Sequence, residues 1–90
     1  MITAYAVPLR VDRLRAPHRY HLVNVSNEEL HGLRVSLLGS GVILPISRLR
    51  VPPGGRIAVI ARGRDLPRTA VLVVRWFRPN GEEFLWRVSF

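Results

Sequence analysis

Short runs of alternating apolar and polar residues, separated by turn-forming residues, recur along the whole chain. The alternation has the period of two that places successive side chains on opposite faces of a β-strand, and no stretch keeps the spacing of a helix. Turn signals return about every ten residues, as in two-layer antiparallel domains. The pattern predicts one all-β domain over residues 1–90, an antiparallel sandwich with seven strands at 3–11, 19–26, 32–38, 42–51, 56–61, 69–78 and 82–90.

The first predicted strand is expected at the edge of a sheet. Its residues Tyr5, Val7, Leu9 and Val11 share one face, and Pro8 falls on the other face. Proline has no N–H to give to a neighbouring strand, so it is tolerated at an edge and not in the middle of a sheet.

The middle of the chain predicts two regular strands and one irregular one. Pro45 interrupts the segment 42–51, whose apolar residues do not alternate cleanly, and the segment is predicted as a single strand. Residues 62–67 are predicted as a loop. In the two regular strands the inward residues are Tyr20, Leu22 and Asn24, then Leu33, Val35 and Leu37, with Arg34 and Ser36 outward.

The last two strands are predicted to form a hairpin around Pro79-Asn80-Gly81. A three-residue loop built on a type I turn favours proline at its first position and glycine at its last, where φ is positive. A two-residue Asn-Gly loop would instead shift the register and place charged residues opposite apolar residues of the neighbouring strand. The favoured register buries both tryptophans on the same face, and it pairs Trp76 with Phe84, Val74 with Trp86, Leu72 with Val88 and Ala70 with Phe90.

Three short motifs resemble bacterial immunoglobulin-like modules of the cell-adhesion-related repeat type. They are Tyr20-x-Leu22-x-Asn24-x-Ser26, Leu33-x-Val35-x-Leu37, and Val51-Pro52-Pro53-Gly54 before Ile57-x-Val59. The resemblance covers most of residues 19–61 and implies a seven-stranded antiparallel immunoglobulin-like sandwich without catalytic residues. A small oligonucleotide-binding barrel is the main alternative fold, but such a barrel normally includes a helix.

The chain is strongly basic, with 14 basic residues against six acidic ones and a formal net charge of +8. Every basic residue is arginine, which a codon bias toward arginine would produce, and the arginines form no contiguous tract. This pattern favours a solvated, compositionally biased surface, although the same charge suits an anionic partner.

The chain has no cysteine, which excludes disulfides and thiolate metal sites. It also lacks an apolar run of signal-peptide or membrane-span length. We therefore expect a cytoplasmic protein without a membrane partner, unless the sequence is a piece of a longer exported chain.

No combination of residues predicts catalysis or a bound cofactor. His18 and His21 lie three apart on or near a strand, so their side chains point to opposite faces, and no carboxylate is spaced to complete a metal site with His31. The serines lack a nucleophile motif, and the adjacent acids Glu28-Glu29 and Glu82-Glu83 lie in predicted turns. We expect no catalytic, cofactor-binding or metal-binding residues.

The outward face of the predicted hairpin carries a contiguous set of apolar side chains. A face open to water should be polar there, so this set predicts an interface. The function that we predict is a non-enzymatic binding or assembly module, acting through a sheet face or edge on a protein partner or as a homodimer anchored by Phe77. The candidate interface residues are Val71, Val73, Arg75, Phe77, Leu85 and Arg87.

Two alternatives stay open. The segment 42–51 or the first strand can fold across the outward face and cover it. Alternatively, the protein is a nucleic-acid or polyanion-binding domain that uses its surface arginines. A continuous stripe of arginines would favour the second alternative, and dispersed arginines would favour the assembly module.

Overall fold

A computed structural model describes residues 4–90, so Thr3 of the predicted first strand lies outside the described residues. No helix in this part of the chain is long and apolar enough to cross a membrane. The elements are β1 (Leu9–Asp12), β2 (Arg19–Asn24), β3 (Leu30–Gly39), β4 (Val42–Ile43), β5 (Ile46–Val51), β6 (Arg56–Arg62), α1 (Leu66–Thr69), β7 (Ala70–Phe77) and β8 (Glu83–Ser89).

The strands form two four-stranded sheets, with strand orders β1-β2-β6-β4 and β5-β3-β7-β8. Every pair of neighbouring strands is antiparallel. Buried residues from both sheets form one hydrophobic core, as in a β-sandwich. The all-β, antiparallel, two-layer prediction is confirmed.

The prediction of seven strands is wrong, because the segment 42–51 divides into two strands that belong to different sheets. Ile43 of β4 pairs with Ala61 in the first sheet, whereas Ile46 of β5 pairs with Val35 in the second. Leu44-Pro45 forms the crossing between them, where the missing N–H of proline costs no ladder hydrogen bond. β4 has only two residues, and β5 has four consecutive exposed residues between Ile46 and Val51, so neither half alternates and the sequence suggested one irregular strand.

The predicted first strand is also too long, because β1 begins at Leu9. Leu9 is buried and Tyr5 and Val11 pack against the core as predicted, but Val7 is 45% exposed. Pro8, expected on the outward face, is buried. The chain before β1 is not held by a ladder, so the period of two no longer governs its side chains. β1 does lie at the edge of its sheet.

The predicted loop at 62–67 contains the start of α1, whose first residue, Leu66, is buried at 4% exposure. The helix has only four residues, which is too few for a periodic signal. It carries the chain from the first sheet to the second.

The hairpin register is confirmed: Trp76 pairs with Phe84, Val74 with Trp86 and Leu72 with Val88. Gly81 has a φ of 89°, which is the left-handed conformation expected at the end of the loop. Trp76 is buried at 1% exposure, but Trp86 is only partly buried. Both tryptophans therefore pack against the core as expected, and Trp86 is the more exposed of the two because β8 is an edge strand with a neighbour on one side only.

A buried asparagine links the two sheets. Asn24, at the end of β2, is fully buried, and its Nδ2 donates to the carbonyl oxygens of Glu28 at 2.8 Å and Val51 at 3.1 Å. Its Oδ1 accepts from the backbone N–H of Ser26 at 3.0 Å and from the Ser26 hydroxyl at 2.7 Å. Val51 ends β5 of the other sheet, so one satisfied amide joins both layers.

The edge strand β5 is the other exposed border of the second sheet. Leu49, in its middle, is 82% exposed, and Arg48 and Arg50 flank it. An edge strand presents unpaired backbone groups, and flanking charges oppose pairing with a second edge.

Candidate functional site

The structure places all six candidate interface residues on one surface, the outer face of the β5-β3-β7-β8 sheet. Along β7, buried residues alternate with partly exposed ones, and the latter include Val71, Val73, Arg75 and Phe77. On β8, Leu85 pairs with Arg75 and Arg87 pairs with Val73, so the candidates from both strands are neighbours.

Neither segment that could have covered this face does so. β1 pairs with β2 in the other sheet, and β4 joins the same sheet at its far edge. β5 extends the second sheet sideways next to β3 instead of lying across it. Within residues 4–90, the face is open, and Leu85 is 64% exposed.

A concave groove of about 560 Å³ lies on this face between the chain at the start of β5 and the middle of β8. Its floor is formed by β3 and β7, and Pro45 and Leu85 stand on opposite sides. Polar and basic groups are mixed with aliphatic ones. We call it the Arg34–Arg75 groove, and it is lined by Arg34, Val35, Ser36, Pro45, Ile46, Ser47, Val73, Arg75 and Leu85.

Two arginines stand directly opposite each other in the groove. Arg34 of β3 pairs with Arg75 of β7, and Ser47 and Leu85 continue the same row on the outer strands. Residues paired in this way have Cβ atoms about 5 Å apart, and like charges at this distance destabilise a sheet. Arg87 lies one row away, opposite Val73. Their proximity concentrates positive charge on the open face.

Acidic compensation within the groove is weak. Glu83 Oε2 lies 3.9 Å from Arg75 Nε, and in the described part of the chain neither Arg34 nor Arg87 forms an ion pair. Arg75 Nε is itself buried without a hydrogen-bond partner among residues 4–90. A buried charged donor without a full partner is unfavourable. The groove therefore carries positive charge that the nearby acid neutralises only weakly.

The ring of Phe77 already makes contacts within the domain. β3 has a β-bulge between His31 and Arg34, and Gly32 within it has a φ of 55°. A Cβ at Gly32 would lie 3.2 Å from Phe77 Cδ2, so the ring rests over the glycine. The Arg75 guanidinium carbon lies 5.8 Å from the centre of the same ring. Phe77 is half-buried, which leaves Leu85 as the more exposed apolar group.

Arg78, directly after β7, is held in an internal cluster. Its Nε and Nη2 donate to the two oxygens of Glu28 at 3.1 and 2.9 Å, and its Cζ lies 4.2 Å from the Tyr5 ring centre. The hydrogen bonds to Glu28 raise the pKa of Arg78 above its usual value. One donor edge of Arg78 thus faces Glu28, and its Nη1 lies 3.7 Å from Glu82 Oε1, so both sides of the guanidinium are engaged by acids of the same domain.

The remaining strand arginines lie mainly on the opposite side of the molecule. Those on the outer face of the first sheet do not stand opposite one another in the register: Arg10 and Arg56 flank Val23, and Arg19 faces Ile60. Arginines therefore occupy both outer faces, which is the dispersed arrangement and not one continuous stripe. The exception is the local set Arg34, Arg75 and Arg87.

Ionisable groups elsewhere form local ion pairs. His31 Nε2 lies 2.9 Å from Glu29 Oε1, in a local contact after the turn. Among residues 4–90, no three histidine or acidic side chains lie together in a way that could hold a metal ion. Each described carboxylate lies near an arginine or histidine.

Sequence reasoning identified the β7 and β8 half of this surface and missed the β3 and β5 half. Arg34 and Ser36 were expected to point outward, but nothing local showed that β3 is the neighbour of β7. Ser47 and Pro45 lie in the segment 42–51, for which the sequence predicted a single irregular strand. An isolated glycine within a strand, Gly32, is a known signal of a bulge and marks where Phe77 rests.

Comparisons with protein-family models, with curated proteins and with solved structures found no significant match to the chain. The function of the groove therefore has to be inferred from its own geometry.

Proposed function

We propose that this protein is a non-enzymatic binding or assembly module that holds a protein partner, or a second copy of itself, through the outer face of the β5-β3-β7-β8 sheet. The observation that supports this is the open Arg34–Arg75 groove, in which aliphatic side chains and arginines share one concave surface. Interfaces characteristically combine exposed apolar groups with arginine. A solvated sheet face would instead carry small polar residues and charges of both signs.

We also propose that the fold is immunoglobulin-like. The order β1-β2-β6-β4 matches strands A-B-E-D, and β3-β7-β8 matches C-F-G. β5 then takes the place beside strand C. Here it follows β4 in the chain, whereas in variable-type domains the strand beside C precedes D. The strand order supports the assignment, and this one exchange distinguishes the chain from the common pattern.

A polyanion-binding function is the second candidate, supported by the cluster of Arg34, Arg75 and Arg87. It would require binding of DNA or RNA that weakens steeply with salt, because phosphate contacts release counterions. Absence of binding to mixed DNA and RNA at low salt would remove this candidate.

The test of the proposed function is site-specific photo-crosslinking in cells that make the protein naturally. A photoreactive phenylalanine analogue replaces Leu85, which is 64% exposed on the open face, or Leu14, which is 88% exposed on the loop after β1. We expect a discrete protein adduct from position 85 and none from position 14. A tagged and an untagged copy present together distinguish a homodimer from a different partner by mass.

The Leu14 variant is the matched control, because both positions are exposed leucines and only one lies on the face. Equal adducts from the two positions, or no adduct from position 85, would contradict the proposal.

A further inference from the structure

We infer that the Arg34–Arg75 groove binds an extended acidic segment of a partner protein. One carboxylate of that segment lies over the Arg34–Arg75 pair, and an aliphatic side chain two residues away lies over Val73. The inference rests on the proposed function and names the chemistry of the partner.

The position of the carboxylate follows from the opposed arginines. Arg34 and Arg75 occupy facing positions on adjacent strands, with Arg87 one row further along β8. Glu83, at 3.9 Å from Arg75, is the one acid within residues 4–90 that forms an ion pair with an arginine lining the groove. Guanidinium groups bind carboxylates through two parallel hydrogen bonds, and such charge-assisted bonds are about twice as strong as neutral ones. A carboxylate between the two arginines replaces their repulsion by two attractions.

The position of the aliphatic side chain follows from the row of residues next to the Arg34–Arg75 pair. Val73 lies two residues before Arg75 on β7, partly exposed on the same face, with Ser36 and Arg87 on either side. Residues two apart in a strand are about 6.8 Å from each other. An extended peptide has the same spacing, so an acidic residue and an aliphatic residue two positions apart match Arg75 and Val73 together.

A second copy of this chain fits the groove poorly. A two-fold axis that pairs the same face of two copies brings Arg34, Arg75 and Arg87 of each copy toward the equivalent arginines. Glu83, the acid that pairs with Arg75, lies 3.9 Å from it and offers little compensation. Burying like charges without partners is strongly unfavourable.

Nucleic acid fits less well than an acidic peptide for two reasons. Single strands are usually held by exposed aromatic side chains on which bases stack, and the one phenylalanine, tyrosine or tryptophan that residues 4–90 place at this face, Phe77, is half-buried over Gly32. In addition, the arginines are not arranged along a continuous track that a phosphate backbone could follow. The aliphatic wall at Val73 and Leu85 gives a phosphate chain nothing to bind.

The experiment measures binding of a fluorescein-labelled synthetic peptide that repeats Glu-Ser-Leu-Ser, by fluorescence anisotropy. Two comparison peptides replace every glutamate by glutamine or every leucine by serine, and an oligothymidylate of similar length replaces the peptide. The protein variants are Arg34→Gln in the groove and Arg19→Gln, the matched control on the other sheet. Both arginines are exposed and both variants lose one charge. Thermal unfolding checks that both variants fold.

We expect the first peptide to bind and Arg34→Gln to weaken it about tenfold, with less than about a twofold change for Arg19→Gln. Both comparison peptides should bind more weakly than the first. In ¹⁵N spectra, the Nε–H signals of Arg34 and Arg75 should shift on addition of the first peptide and stay in place with the glutamine peptide.

Three outcomes would overturn the inference. Equal losses for the two variants would show binding to overall charge. Tighter binding of oligothymidylate, with no dependence on the leucines of the peptide, would show a polyanion site. Failure of the peptide to bind while position 85 still forms adducts in cells would leave the proposed function standing and remove only the acidic partner.

Discussion

The outer faces of the two sheets both carry arginines, but they arrange them in different ways. On the first sheet, Arg10 and Arg56 flank Val23, which is only 7% exposed, and Arg56 Nη2 lies 2.7 Å from Asp12 Oδ2. On the second sheet, Arg34 faces Arg75 directly, and the aliphatic Leu85 beside them is 64% exposed.

The difference shows that the pairing of charges is more informative than their number. On the first sheet, arginine stems can cover an apolar residue while Asp12 pairs with the Arg56 guanidinium, and among the described residues no two arginines face each other in the register. On the second sheet, the arginines repel each other and the apolar groups remain in contact with water. The second face therefore has more to gain from a partner.

The largest effect is expected from replacing Asn24, whose side chain links the two sheets. Asn24→Ala should lower the free energy of unfolding by about 3 kcal/mol, because it leaves the Val51 carbonyl of β5, and backbone groups of Ser26 and Glu28 in the connection between β2 and β3, without partners. Urea denaturation followed by tryptophan fluorescence measures the change. Ser26→Ala is the control, with an expected loss of about 1 kcal/mol, because Asn24 keeps its bonds to Glu28 and Val51. Equal losses for the two variants would show that the link between the sheets is unimportant.

The next prediction compares Val23, which is buried on the first sheet, with Leu85, which is exposed on the second. Val23→Ala should cost about 1.5 kcal/mol, since the side chain is buried, whereas Leu85→Ala should change stability by less than about 0.5 kcal/mol. Chemical denaturation of the isolated protein gives both values. A large loss for Leu85→Ala would mean that the second face is packed within the domain and is not free for a partner.

A smaller effect tests the opposed arginines. Arg34→Glu turns a repulsive pair into an attractive one and should stabilise the protein by about 0.5 kcal/mol in low salt. Arg19→Glu makes the same change in net charge opposite Ile60 and should lack the specific gain. Urea is the suitable denaturant because it adds no ions, and the difference should shrink toward zero near about 1 M salt. If both variants gain equally, the repulsion is global and not specific to the pair.

The smallest expected effect concerns Asp12, the acid that pairs with Arg56 on the first sheet. The N–H of Leu14 and the guanidinium of Arg56 donate hydrogen bonds to Asp12 and lower its pKa below the usual value. A lowered carboxyl pKa stabilises the folded state above the unfolded pKa, and this contribution is lost as the pH falls through the folded value. The melting temperature of Asp12→Asn should lie below that of the wild type at neutral pH and approach it below about pH 4. A constant difference across this range would exclude the carboxylate charge as the cause.

Local features of the fold could be predicted from the sequence. Pro79-Asn80-Gly81 combines a fixed φ with a residue that accepts a positive one, so the loop alone determines the register of β7 and β8. The alternation in β3 and β7 also indicated which side chains face the core.

Features that depend on distant parts of the chain could not be predicted. The crossing at Leu44-Pro45 is determined by the two sheets between which it runs, and neither is encoded within that segment. Likewise, Arg34 and Arg75 lie far apart in the sequence and meet only because β3 pairs with β7. Half of the candidate site therefore followed from a hairpin, and the other half required the tertiary fold.

The exposed edge of β5 has a consequence for handling the protein. Arg48 and Arg50 flank Leu49, so at low ionic strength two such edges repel each other before their backbones can pair. Concentrated salt shortens the range of this repulsion to about 3 Å and strengthens the attraction between exposed leucines. Salting-out steps and high-salt storage buffers should therefore promote edge-to-edge aggregation, and dilute buffers well below the pI of about 11.7 should keep the protein dispersed.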